Sequence, residues 1–178
     1  MKAGYKQTEF GIIPENWEIV LLETLLAQPI QNGIFNDPRL KGYGYKLINV
    51  INLYGQTPID TAGLEYLSAS KTEVDRFKVN HGDVFFTRSS ITPDGIAQCN
   101  IYDKKLEEVI LFDCHIIRVV INQKKINPFY FYRYCSGNTA RKYMVANAKT
   151  TTMTTIDQSV IAKLPVLLPS TLAEQTAI

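Results

Sequence analysis

The chain has 178 residues, 46% of them hydrophobic and 20% charged, with 19 Lys and Arg against 17 Asp and Glu. At roughly 100–200 residues per domain this is one globular unit with one core. No run approaches the ~18 apolar residues of a membrane span, and Met1-Lys2-Ala3-Gly4-Tyr5-Lys6 lacks the apolar stretch of a signal peptide, so membrane and secretory roles are set aside and a cytoplasmic setting is expected. Ten Tyr and eight Phe argue against disorder. Cys99, Cys114 and Cys135 form no close pair, and Cys114 and His115 would point to opposite faces of a strand, so no metal site is expected. The net charge of +2 is too small to diagnose a nucleic-acid partner.

In chain order, Gly11 to Val20 reads as a proline-punctuated turn that delivers the only tryptophan, Trp17, into an apolar run, which predicts that a buried Trp17 anchors the N-terminus to the core. Leu21 to Leu26 reads as a short helix or strand end. Pro29 to Gly44 is loop-like, with Asn32-Gly33, Asn36-Asp37-Pro38 and Gly42-Tyr43-Gly44 as turn signals, and is long for a connection. Lys46 to Ile51 has strand composition. Val84 to Thr87 is an apolar strand entered from His81-Gly82-Asp83 and ending at Arg88-Ser89-Ser90. Val109 to Phe112 and His115 to Ile121 carry the strongest strand signal, the second as a buried central strand. Asn127-Pro128 is an N-cap followed by a first-turn proline, opening a helix through Cys135 that Ser136-Gly137-Asn138 interrupts. A second helical piece, Thr139 to Val145, displays Arg141 and Lys142. Thr155-x-x-Gln158 has capping-box spacing and predicts a helix through Ile161; Leu164 to Leu168 follows as a strand, and Thr171-x-x-Glu174 repeats the box.

Four blocks, in order, resemble the target recognition domain of the specificity subunit of type I restriction-modification systems. They are Gly4-Tyr5-Lys6-Gln7-Thr8-Glu9-Phe10-Gly11-Ile12-Ile13-Pro14-Glu15-Asn16-Trp17, Gly82-Asp83-Val84-Phe85-Phe86-Thr87-Arg88-Ser89-Ser90, Phe112-Asp113-Cys114-His115-Ile116-Ile117-Arg118, and Thr155-Ile156-Asp157-Gln158 through Leu164-Pro165-Val166-Leu167-Leu168-Pro169 to Glu174-Gln175. Each is weak alone, and their order and spacing carry the match. The resemblance implies a non-catalytic module that reads double-stranded DNA, one half of a split target. It implies partners that do the chemistry: a modification subunit that methylates adenine with S-adenosylmethionine, and a motor-nuclease restriction subunit. No cofactor is expected on this chain. A full subunit of that family carries two such domains, each followed by a long helix. Residues 1–169 are therefore expected to be one recognition domain and 170–178 the start of a truncated conserved spacer helix, with a second specificity half as a further partner. The expected fold is α+β: a single domain with a twisted, mostly antiparallel sheet, flanking helices and long loops.

Reading DNA needs cations for phosphates and planar donors or acceptors for base edges. Arg88 with Thr87, Ser89 and Ser90 has that inventory at the tip of an apolar strand, although a solvated turn would have the same composition. The run Lys149 to Thr155 offers Thr151, Thr152 and Thr154 beside a lysine and ahead of a helix start, where amides and hydroxyls suit phosphate; an exposed strand and a cap is the plainer alternative. Arg141 adds positive charge if the turn folds back. The loop from Gln31 to Gly44 adds Asn32, Gly33 and Arg39, since side-chain amides pair with adenine and guanidinium with guanine.

Two rival classes share the sequence. Asn127-Pro128-Phe129-Tyr130 resembles the Asn/Asp-Pro-Pro-Tyr/Phe tetrapeptide of amino-methyltransferases, with Phe129 replacing the second proline, but no glycine-rich turn for S-adenosylmethionine follows a strand. A protein-interaction module would present the aromatics of Phe129 to Tyr134 to a partner; they cover more than one helical face, the pattern of burial in the domain's own core.

Overall fold

The computed structural model describes residues 3–105 and 108–178; Met1 and Lys2, read above as part of the first residues, lie outside them. The described chain opens on the hairpin of β1 (Tyr5–Thr8) and β2 (Gly11–Pro14). β3 (Glu18–Leu21) leads into a 3-10 turn, Leu22–Leu25, that buries both of its leucines. β4 (Gln31–Asn32) and β5 (Lys41–Ile48) follow, with the 3-10 turn Pro38–Leu40 between them. Then come β6 (Glu65–Leu67), α1 (Lys71–Phe77) with a Ser70/Glu73 capping box, β7 (Val84–Thr87), β8 (Ser89–Ser90), β9 (Cys99–Ile101), β10 (Ile110–Phe112) and β11 (Ile116–Val119). The last third holds α2 (Pro128–Ser136), α3 (Asn138–Asn147), β12 (Lys149–Thr150), β13 (Thr154–Thr155), α4 (Gln158–Ala162), β14 (Pro165–Leu168) and α5 (Leu172–Ala177). Among the described residues, no helix is long and apolar enough to cross a membrane.

The expected α+β architecture is present, but among the described residues the strands divide among five small sheets. The central one, in the order β4-β11-β7-β9, is antiparallel throughout, with Ile117 opposite Phe86 and Arg118 opposite Phe85. Alternation along a strand sends Val84, Phe86, Ile117 and Val119 to one face and Phe85 and Ile116 to the other. The first face packs with Phe131 and Cys135 of α2 and Ala140 and Met144 of α3; the second packs with Ile48, Leu53 and Phe112. Burial on both faces is why β11 reads as an apolar run broken only by Arg118, whose charge is paired with Asp83. β10 lies parallel to β5 and β6 antiparallel to it, while β14 pairs with β3 and ties the two chain ends together.

Several local expectations change. The Pro29 to Gly44 stretch contains β4 and the start of β5, whose register shifts between Lys41 and Tyr45; Gly44 takes φ +97° there, and a Cβ on it would come 2.7 Å from the Leu67 carbonyl oxygen. Trp17 is only half-buried; its Nε1 donates to Glu174 Oε1 at 2.8 Å, so it fastens α5 to the first strands instead of filling the core. Asp157, not Thr155, caps α4, accepting from Val160 N at 3.0 Å, and Thr155 belongs to β13. Cys114 and His115 lie in a turn, with Sγ and Nδ1 3.5 Å apart, instead of on opposite faces of a strand. Asn127 caps α2 as expected, its Oδ1 accepting from Phe129 N and Tyr130 N.

Candidate nucleic-acid interface

β7 is rigid because all four of its residues are buried, and Arg88 is the first residue to emerge from it. The Arg88 backbone is held on both sides: its N donates to His115 O at 3.0 Å and its O accepts from Ile156 N at 3.0 Å. The side chain is exposed, and among the described residues its guanidinium has no hydrogen bond or ion pair. β8 then pairs with β13, Ser89 opposite Thr155 and Ser90 opposite Thr154, and β13 pairs with β12, Lys149 opposite Thr155. Two segments about sixty residues apart in sequence thus become one three-stranded sheet, and Arg88 and Lys149 come onto one surface.

Arg88 also borders two adjoining clefts. One, of about 340 Å³, is lined by Asn32, Arg88, Ile117, Ile156, Asp157, Gln158 and Ser159. The other, of about 260 Å³, adds Asn147, Lys149 and Thr155. In the first, Gln158 Nε2 donates to Asn32 Oδ1 at 3.0 Å. Among the described residues this leaves the Asn32 amide as a donor and the Gln158 carbonyl as an acceptor, the pair of functions that an adenine edge requires. Gln158 was not a sequence candidate, because as a helix-start residue it carries no signal of the partner 126 positions away.

The other candidates separate by burial and bonding. Lys149 is 80% exposed, and its Nζ lies 3.9 Å from Asp157 Oδ2. A surface pair of this kind is worth at most about 1 kcal/mol, so the ammonium is free to exchange it for phosphate. The Asp157 carboxyl is held below its ordinary value by the Ser159 hydroxyl, the Val160 amide and, more weakly, Lys149. Thr151 and Thr152 are exposed in the bend between β12 and β13. Ser89 and Ser90 are half-buried, with Ser90 Oγ accepting from Thr92 N.

Four candidates have structural duties instead. Thr87 is fully buried, its Oγ1 donating to Gly95 O and accepting from Gln98 N. Thr154 is also buried, its hydroxyl 3.0 Å from that of Thr150. Arg141 is half-buried, and its guanidinium donates to the carbonyls of Asp94 and Ile96, bracing the loop after β8. Gly33 lies against β10: a Cβ there would come 1.9 Å from the Phe112 carbonyl oxygen. Arg39 stays exposed but is paired in bidentate fashion with Asp37 on the turn before β5; this pairing holds the Asp37 carboxyl down at about 2.

One group among the described residues, Asp113, Cys114 and His115, brings ligand-type atoms within 4.8 Å. A hydrogen-bonded turn accounts for it. Asp113 Oδ1 accepts from His115 N at 2.7 Å and lies 2.8 Å from His115 Nδ1, while Oδ2 accepts from Asn36 Nδ2 at 2.8 Å. Both carboxylate oxygens are occupied in holding the β10–β11 connection.

No family model matches the chain. The putative type I restriction enzyme MjaX specificity subunit of Methanocaldococcus jannaschii is 28% identical over 172 residues, covering 94% of this chain and 39% of that protein. The type I restriction enzyme EcoKI specificity subunit of Escherichia coli K12 is 26% identical over 136 residues, covering 76% of this chain and 28% of that protein. The chain thus spans less than two fifths of the length of these curated relatives. In fold, the HsdS subunit of Thermoanaerobacter tengcongensis superposes with a TM-score of 0.63 at 16% identity, over 93% of this chain and 40% of that one. In sequence and in fold the chain is therefore similar to part of a type I restriction-modification specificity subunit, consistent with one target recognition domain of that family.

Proposed function

We propose that the chain reads one half of a split double-stranded DNA target and so directs the adenine methyltransferase and the motor-nuclease of a type I restriction-modification complex. The observation that carries this reading is the β12–β13–β8 sheet, which sets the unpaired Arg88 guanidinium between Lys149 and the Asn32–Gln158 amide pair. Arg88 suits guanine O6 and N7, and the amide pair suits adenine. Lys149 with the hydroxyls of Thr151 and Thr152 suits the backbone phosphates. The names of the relatives support the same reading.

In this role the chain is a cytoplasmic, non-catalytic subunit. S-adenosylmethionine is bound by the modification subunit and not here, and a second specificity half reads the other half-site. The rival chemistry at Asn127 is disfavoured because that side chain is spent on the α2 cap and on Thr176, 3.2 Å away. The protein-interaction reading of α2 is disfavoured because Tyr130 and Phe131 fill the domain's own core. The test is titration of labelled duplex with the purified chain at rising salt, together with mapping of methylated adenines in a host carrying the assembled complex with Arg88→Ala. Salt-sensitive binding and a changed methylation site are expected. Salt-independent binding, or an unchanged site, overturns the proposal.

A further inference from the structure

The most exposed large hydrophobic residue described is Ile91, at 86%, immediately after β8. An isoleucine that solvated on a slack loop would be unremarkable, but this loop is braced from beneath. Thr92 N donates to Ser90 Oγ at 3.2 Å, and Gly95 N and Ile96 N close the turn onto Thr92 O and Pro93 O. The Gly95 carbonyl accepts from both Thr87 Oγ1 and Tyr54 Oη, and Arg141 holds the carbonyls of Asp94 and Ile96. The ordering entropy of the loop is thus already met by contacts that leave Ile91 outside. The β8–β13 pairing ends at Ser90 and Thr154, so Ile91 and Met153, itself 42% exposed, are the next residues of the two chains at the same end of the sheet. A pre-formed apolar tip therefore stands at the end of the sheet that also carries the exposed cations Arg88 and Lys149.

Cations flanking an apolar tip call for a partner that is anionic outside and apolar at one point within. In the major groove of DNA that point is the C5 methyl group of thymine. Resting on the DNA-reading function proposed above, we infer that Ile91, supported by Met153, reads a thymine methyl in the half-site. An exposed side chain on a braced loop can do this without reorganisation, so its contribution falls on sequence preference more than on overall affinity.

The experiment is selection of half-sites from a randomised duplex library by the full chain, for the parent, Ile91→Ala and Met153→Ala, followed by titration of the selected duplex with uracil in place of each thymine. The parent should prefer a T·A pair at one position, and removing that methyl should weaken binding roughly fourfold, the transfer value of one buried methylene-sized group. Ile91→Ala should keep its melting temperature, lose the preference at that position alone, and bind the thymine and uracil duplexes equally. Met153→Ala should reduce the preference part-way. An unchanged thymine preference in Ile91→Ala, a uniform loss over all sequences, or a parent site without T·A overturns the inference while leaving the DNA-reading function standing. A parent that selects no sequence overturns that function, and this inference with it.

Discussion

Thr87 and Arg88 are adjacent, both polar, and differ in what the fold asks of them. Thr87 uses its hydroxyl twice inside the core, so Thr87→Val leaves Gln98 N without its acceptor and should destabilise the domain by about 1–3 kcal/mol in denaturant unfolding. Arg88→Ala removes an exposed side chain whose guanidinium makes no hydrogen bond or ion pair among the described residues, so its melting temperature should stay at the parent's. Its loss should be about 1–3 kcal/mol of binding to the preferred half-site, with relaxed selection at one base pair. An Arg88→Ala protein that unfolds would mean that the guanidinium holds the domain together. Asp83 and Arg118 form the buried ion pair of the central sheet, 3.5 Å apart, with Arg118 also donating to Lys78 O at 2.6 Å and lying over the Phe112 ring. Burial pushes the Asp83 carboxyl up to about 6, against the opposing pull of the Asn80 amide and Arg118. A folded value above the unfolded one means that the folded state holds its proton longer. Stability from this group is therefore full below the unfolded value near 4 and falls as pH rises through about 6. Unfolding free energy measured from pH 4 to 7 should decline over that window, and Asp83→Asn should remove that part of the slope; a slope unchanged by the substitution would remove Asp83 as its cause.

At the scale of elements, what could be read in the sequence depended on how local the determining chemistry is. The cap of α2 was legible because the Asn127 side chain accepts from amides two and three residues on and Pro128 fixes the first turn, and Asn127→Ala should cost about 0.5–2 kcal/mol, seen as a lower melting temperature. β11 was legible because burial on both faces leaves a nearly unbroken β-branched run, interrupted only by Arg118, that no loop would carry. The β12–β13–β8 sheet was not, since two-residue strands have no periodicity, and the serine and threonine hydroxyls on them read equally well as turn or cap. From its spacing to Gln158, Thr155 alone reads as the cap of α4; the strand pairing of Thr155 with Ser89 takes it out of reach, and the cap falls to Asp157. β5 reads as a strand only from Lys46 onward; its first half was hidden behind its own bulge, because Gly42 and Gly44 break the alternation that marks a strand. For the candidate site, Arg88 and Lys149 could be named from residue type and neighbours, whereas Gln158 joins Asn32 only through tertiary contact and left no local trace.

For the whole molecule, the near balance of 19 basic and 17 acidic residues leaves the field at any surface to the placement of individual charges. Arg39 and Lys46 are paired with Asp37 and Glu108, and Arg118 is buried, whereas Arg88, Lys142 and Lys149 are exposed around the β12–β13–β8 sheet and its neighbouring helix. Asp157 subtracts from that field, so only about two to three phosphates should be neutralised when the chain binds duplex. Each contributes roughly −0.9 to the slope of log K against log salt, for a total near −2 to −3. Lys149→Ala should make this slope shallower by about one unit and weaken binding evenly over all sequences, because a phosphate contact carries no base information. Asp157→Asn should act in the opposite sense, strengthening binding most at low salt, although it also weakens the α4 cap and needs a melting curve beside it. A single recognition module buries only on the order of 600–1,000 Å² against DNA, so the absolute affinity should be low and the slope is the sharper observable. A Lys149→Ala slope identical to the parent's would place the phosphate backbone elsewhere on the molecule, with the exposed turn that carries Arg39 as the next surface to test.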